Sequence, residues 1–180
     1  MFMRLFNKLF KPAHYRTETS CSPLTLDFAC SYPKVTLSES FNRQAYNLLF
    51  LMDWAQFPHF KAILQTHYPQ ISVCITGEVQ KGPEHTIFRM CLRDEFGGCF
   101  VHLIADDHAF IDTVLATGFT PPKPMISFPD LNPDEYGSLQ GDLDYWFSWL
   151  WMPYWTSLTS DEKANLDLPP DWQEFVEFRS

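Results

Sequence analysis

The stretch Thr86-Ile-Phe-Arg-Met-Cys-Leu-Arg-Asp-Glu-Phe-Gly-Gly-Cys-Phe-Val-His-Leu-Ile104 decides the fold class. Two runs rich in β-branched and aromatic residues, 86–93 and 99–104, flank the Gly97-Gly98 pair, which is the pattern of a β-hairpin. Upstream, Ile71, Val73 and Ile75 alternate with Ser72, Cys74 and Thr76. That is the period of a strand with one buried face. Lys81-Gly82-Pro83 supplies another turn. Three sequential strands joined by short connections predict an antiparallel meander, so the expected centre is an antiparallel sheet of three or more strands over about 71–104.

Helical signals lie on both sides of this sheet. Thr36-Leu-Ser-Glu39 has the spacing of a capping box. It predicts a long helix carrying Phe41, Ala45, Leu48, Leu49 and Met52, widened by Tyr46, Phe50 and Trp54, and broken at Pro58. A second helical piece with Phe60, Ile63 and Leu64 runs to Tyr68-Pro69. Downstream of the hairpin, Asp106-Asp107 opens a helix with Phe110, Ile111, Val114 and Leu115, and Gly118 stops it. The run Thr120-Pro-Pro-Lys-Pro124 is a stiff connector. Residues 128–137 read as loop. Asp142 or Asp144 caps a helix over 145–152 that Pro153 terminates, and Thr159-Ser-Asp-Glu162 is a second capping box. Pro169-Pro170-Asp171 begins a last helix with Trp172, Phe175, Val176 and Phe178. The predicted class is α+β: a single domain over 17–180 with an aromatic, acidic, helical part over about 125–180.

Residues 1–12 read as a separate element. Phe2, Leu5, Phe6, Leu9 and Phe10 fall at helical spacing, with Arg4, Lys8 and Lys11 elsewhere on the wheel, until Pro12 ends the pattern. A short basic amphipathic helix can lie on an anionic membrane, dock in a partner groove, or pack on its own domain. Residues 17–35 read as loop, with one short strand around 24–28.

Charge divides the chain more sharply than its net −9 suggests. Residues 1–16 carry Arg4, Lys8, Lys11 and Arg16 and no acid. Residues 17–93 balance to zero. Residues 94–180 hold sixteen acids against Lys123, Lys163 and Arg179, a balance of −13. A half-chain of one sign repels nucleic acid and attracts basic protein surfaces, so no nucleic-acid partner is expected. Lys8 interrupts the only apolar N-terminal stretch and no small-residue cleavage site follows it. The five cysteines are odd in number and form no CxxC pair. The expectation is a cytoplasmic protein with reduced thiols.

Residues 145–155 concentrate seven aromatics in eleven positions, including Trp146, Trp149, Trp151 and Trp155. Aromatic side chains bury roughly 150–250 Å² each, so the run carries on the order of 1,000 Å² or more, above the patch of about 300–600 Å² that a soluble monomer usually exposes. The run is therefore core, partner anchor, or both. It is about half the roughly 20 residues that span a bilayer. As an anchor, Trp146, Trp149, Trp151, Tyr154 and Trp155 would insert into a partner, with Asp134, Glu135, Asp142 and Asp144 as the acidic rim.

Catalytic signals are sparse. His102, Asp106 and His108 sit at a strand-to-helix junction and could hold a divalent metal, but their spacing matches none of the familiar metal motifs. Cys91, Cys99 and His102 could pair a thiolate with an imidazole. Strand packing and helix capping explain the same residues, and no cofactor is expected.

The pattern Gly141-Asp-Leu-Asp-Tyr-Trp-Phe-Ser-Trp-Leu-Trp-Met-Pro-Tyr-Trp155, followed by Ser160-Asp-Glu-Lys163 and Pro170-Asp-Trp-Gln-Glu-Phe175, resembles small acidic bacterial immunity proteins. The resemblance implies a non-enzymatic toxin inhibitor that binds a cognate toxin in the cytoplasm. That class has no single fold, so the resemblance assigns no residue a role. The alternatives are a peripheral membrane or assembly-adaptor protein using residues 2–10, and a metal-dependent enzyme using His102, Asp106 and His108.

Overall fold

The computed structural model describes residues 31–180 apart from Ser40, Asn42, Arg43, Tyr136 and Gly137. The predicted helix over residues 2–10 and the short strand at 24–28 lie outside the described residues. Five strands form one antiparallel sheet: β1 (Lys34–Leu37), β2 (Tyr46–Met52), β3 (Gln80–Lys81), β4 (Phe88–Glu95) and β5 (Gly98–Ala105), in the order β1-β2-β5-β4-β3. The class is α+β, as the sequence predicts.

The β4–β5 hairpin is the expected one, but its turn sits one residue earlier than Gly97-Gly98. Phe96 and Gly97 both take positive φ, 53° and 68°, the requirement of a two-residue turn matched to strand twist. Gly98 is already in β5, paired with Glu95. A Cβ there would lie 2.6 Å from the Met52 carbonyl oxygen. Of the two glycines, one serves the turn and the other the close approach of β2.

Two predicted elements are corrected. The long helix after Thr36 does not form; Thr36 is in β1 and residues 46–52 are the strand β2. Leu48 to Met52 are all buried, because β2 lies between β1 and β5 and is covered on both faces. Such a strand reads as a continuous apolar run, which periodicity does not separate from a buried helix. The predicted strand over Ile71, Val73 and Ile75 is also absent. Only Ile71 is buried and Ile75 faces solvent, so the alternation has no face to bury, and pairing with β4 begins at Gln80.

Helices cover both faces of the sheet. On one face, α1 (Phe57–His67) and α2 (His108–Ala116) pack Phe60 against Phe50 and Phe110 against Phe88. Pro58 starts α1 rather than breaking it, as suits a first-turn proline. Asp107, not Asp106, caps α2 by accepting from the Phe110 N–H, and Gly118 follows its end at φ 69°. A short α3 (Pro124–Ser127) and a 3-10 turn over Pro133–Glu135 lead to the opposite face.

There, Gly141–Trp146 (α4), a π-helical turn over Phe147–Trp151 and Met152–Ser157 (α5) form one continuous helix. It begins before Asp142 and runs through Pro153, contrary to the expected stop. The Met152 N–H reaches back five residues to the Phe147 carbonyl. The wider π turn relieves the clash that a helical proline makes with the carbonyl four residues earlier. Two short helices close the domain: α6 (Ser160–Ala164), with its predicted capping box intact, and α7 (Pro170–Glu177). Where β1 stops short, the Tyr32 hydroxyl takes over the β2 edge, donating to the Leu51 carbonyl and accepting from its N–H at 3.0 Å.

Candidate functional site

The aromatic run is mostly core. Trp146, Phe147, Leu150, Trp151, Tyr154 and Trp155 are buried, while Ser148 and Trp149 face out. The buried positions repeat every four residues. An α-helix drifts about 40° over each four-residue step, and the wider π turn removes that drift, keeping both rows pointed inward. Trp146 and Trp151 stack with ring centroids 5.4 Å apart, and Phe128 and Trp172 meet Trp146 edge-on. Tyr154 abuts Tyr32 at 5.2 Å. Four of the five proposed anchors, Trp146, Trp151, Tyr154 and Trp155, are therefore not available to a partner. Among the described residues no hydrogen-bond acceptor reaches the Nε1 of Trp146 or Trp151.

Trp149 is the exception, 49% exposed, with the Lys34 ammonium 5.0 Å from its ring centroid. Asp142 and Asp144 stand exposed in the first turn of the same helix, where the helix dipole favours acids. Asp144 also accepts from the Ser148 hydroxyl at 3.2 Å.

Of the other acidic candidates, Asp134 lies beside a residue that sequence reading places only within a helix stripe. Phe178, just past α7, is 81% exposed. It borders a shallow cleft with Asp134, Asp171 and Glu174, floored by Phe175. Pro133–Glu135 is brought there by its packing on α7, and the Asn132 side chain fixes the turn by accepting from the Asp134 N–H and donating to Glu135. The guanidinium of Arg179 lies 3.9 Å from the Phe175 ring centroid and donates to the Phe175 carbonyl.

Twelve of the sixteen carboxylates in residues 94–180 are exposed. The three cations of that half are all engaged: Lys123 with Asp167 at 3.3 Å, Lys163 over the Trp155 ring, Arg179 on Phe175. The result is a strongly negative helical surface on which Phe178, Ile126 and Trp149 are the exposed large apolar side chains among the described residues.

No model of a known protein family matches the chain, and neither does any curated protein or solved structure.

The structure separates the proposed metal ligands. Strand parity puts His102 on the sheet face opposite Tyr46, whose ring meets His108 edge-on. Asp106 accepts from the Ile87 N–H. Among the described residues no three His, Cys, Asp or Glu side chains are grouped to hold a metal ion. His102 pairs across the hairpin with Cys91, while Cys99 lies on the other face. Burial pushes the Cys91 thiol up and lowers His102 to about 4. A thiolate–imidazolium pair requires the reverse of both shifts. Cys91 donates instead to the Gly77 carbonyl, and burial pushes Cys99 up to about 12.

Among the described residues no helix is long and apolar enough to cross a membrane.

Proposed function

We propose that the chain is a non-enzymatic protein-binding inhibitor of the bacterial immunity type, acting in the cytoplasm against a basic toxin. The observation that carries this reading is the exposed acidic surface around Phe178, with Asp134, Asp171 and Glu174 about a protruding aromatic ring. Carboxylates at such a density accelerate encounter with a basic partner. An exposed aromatic ringed by polar groups is the usual form of a binding hot spot. Glu135, Asp142, Asp144 and Trp149 are also exposed in this half of the chain and add acidic and aromatic surface to it. The resemblance of residues 141–175 to acidic immunity proteins supports the class, and the buried tryptophans move the anchor role to Phe178 and Trp149.

The test begins with the reading frames beside this gene. A secreted antibacterial protein encoded there is expressed in a sensitive bacterium with and without this chain. Protection of growth by the wild type and its loss with Phe178→Ala plus Glu174→Lys is expected. Killing that the wild type does not prevent, or protection that the double variant retains in full, removes the proposal.

A further inference from the structure

A second cleft, of about 900 Å³, lies between the end of α2, Tyr32 and the α5–α6 connection. Its floor is apolar, with Leu115, Phe119, Leu158 and Leu166, and Asp112 and Glu162 stand exposed at its margin. Among its described lining residues there is no Lys, Arg or His.

We propose that this cleft receives the chain's own N-terminal segment, residues 2–10, docked in cis. Three observations select that occupant. Ser31, the first described residue, is part of the cleft wall, so the preceding chain departs from the site itself. The intervening residues 11–30 are long enough to return, since twenty residues span up to roughly 66 Å. The segment is also chemically complementary. Phe2, Leu5, Phe6, Leu9 and Phe10 offer an apolar stripe for the floor, and Arg4 and Lys8 meet a margin whose formal charges are Asp112 and Glu162. A nine-residue helix is marginal alone and gains its stability from such a surface. Docking hides the apolar stripe and, on the proposed function, leaves the acidic face around Phe178 as the surface offered to a partner.

The test is photo-crosslinking in the full-length protein, with a benzoylphenylalanine placed at position 6 and dilute irradiation followed by peptide mass spectrometry. The expected product is an intramolecular crosslink onto residues 115–119 or 158–166. Arg4→Glu with Lys8→Glu, which alters the segment and not the cleft, is expected to lower its yield about fivefold, the effect of losing two exposed ion pairs. A crosslink elsewhere on the chain, a covalent dimer, or no protein crosslink overturns the proposal. So does an unchanged yield in the charge-reversed variant, or transfer of the crosslink to lipid when phosphatidylserine vesicles are added.

Discussion

Lowering the pH from about 7 to about 5 is expected to destabilise the domain through one side chain, His102. It sits in mid-sheet, 4% exposed, and its Nε2 lies 2.6 Å from Asn47 Oδ1. An amide oxygen only accepts, so Nε2 carries the proton, and the Asn47 amide passes the chain on to the Thr36 hydroxyl. Burial, with a smaller contribution from Arg93, lowers His102 from the ordinary 6.5 to about 4. Between these values the unfolded chain binds a proton that the folded chain does not, so stability falls as pH falls through 6.5 and levels off near 4. At about 1.4 kcal/mol per pH unit the full loss is about 3 kcal/mol, of which about 2 kcal/mol is lost by about pH 5. Urea unfolding followed by tryptophan emission measures it, with His102→Gln as the non-titrating reference. Subtracting the variant removes the contribution of the carboxylates and other histidines. The wild-type-minus-variant difference is expected to shift by about 2 kcal/mol between the two pH values. A shift below about 0.5 kcal/mol refutes the reasoning, because it leaves no room for a buried neutral imidazole.

Three other substitutions probe the frame. Gly98→Ala forces a Cβ to within 2.6 Å of the Met52 carbonyl oxygen and 2.7 Å of Pro122, and is expected to cost at least about 2 kcal/mol by urea or thermal unfolding. Trp151→Ala empties a stacked core position and is expected to cost about 3–5 kcal/mol, whereas Trp149→Ala changes stability by less than about 1 kcal/mol; equal costs would contradict the inward and outward assignment. Thr159→Ala removes the α6 capping box and is expected to cost about 1 kcal/mol, seen as faster amide exchange confined to Ser160–Ala164.

The hairpin is legible in the sequence because β4 and β5 combine strand composition with a glycine pair, two signals that agree. The Thr159 cap and the proline that starts α7 are legible for the same reason, since local bonding or backbone preference fixes each, whereas the α2 cap falls on Asp107, one residue past the expected Asp106. β2 is not, because residues 48–52 are apolar without a break, and burial on both faces erases the period that distinguishes strand from helix. Residues 71–75 mislead in the opposite sense: their alternation is intact, but packing buries only one of the three apolar side chains. Of the candidate site, Asp134 is legible as an acid. Its neighbours Phe178, Asp171 and Glu174 are assembled by the packing of a 3-10 turn on α7, and sequence spacing carries no trace of that contact.

The long aromatic helix carries a signal of its own that periodicity at 3.6 conceals. Its buried residues fall at 146, 150 and 154 and at 147, 151 and 155. A strict period of four cannot stay on one face of an α-helix, so such a run is either exposed on part of its length or wound more loosely. Pro153 decides between these, since a proline inside a helix is accommodated by the same loosening. One π turn thus answers both demands, and the outcome is that almost all of the aromatic surface goes inward. What it leaves outside is a single indole, with the Lys34 ammonium over its ring. On the proposed function, partner recognition falls to charge and to the exposed rings of Phe178 and Trp149, with the other tryptophans of the helix packed in the core.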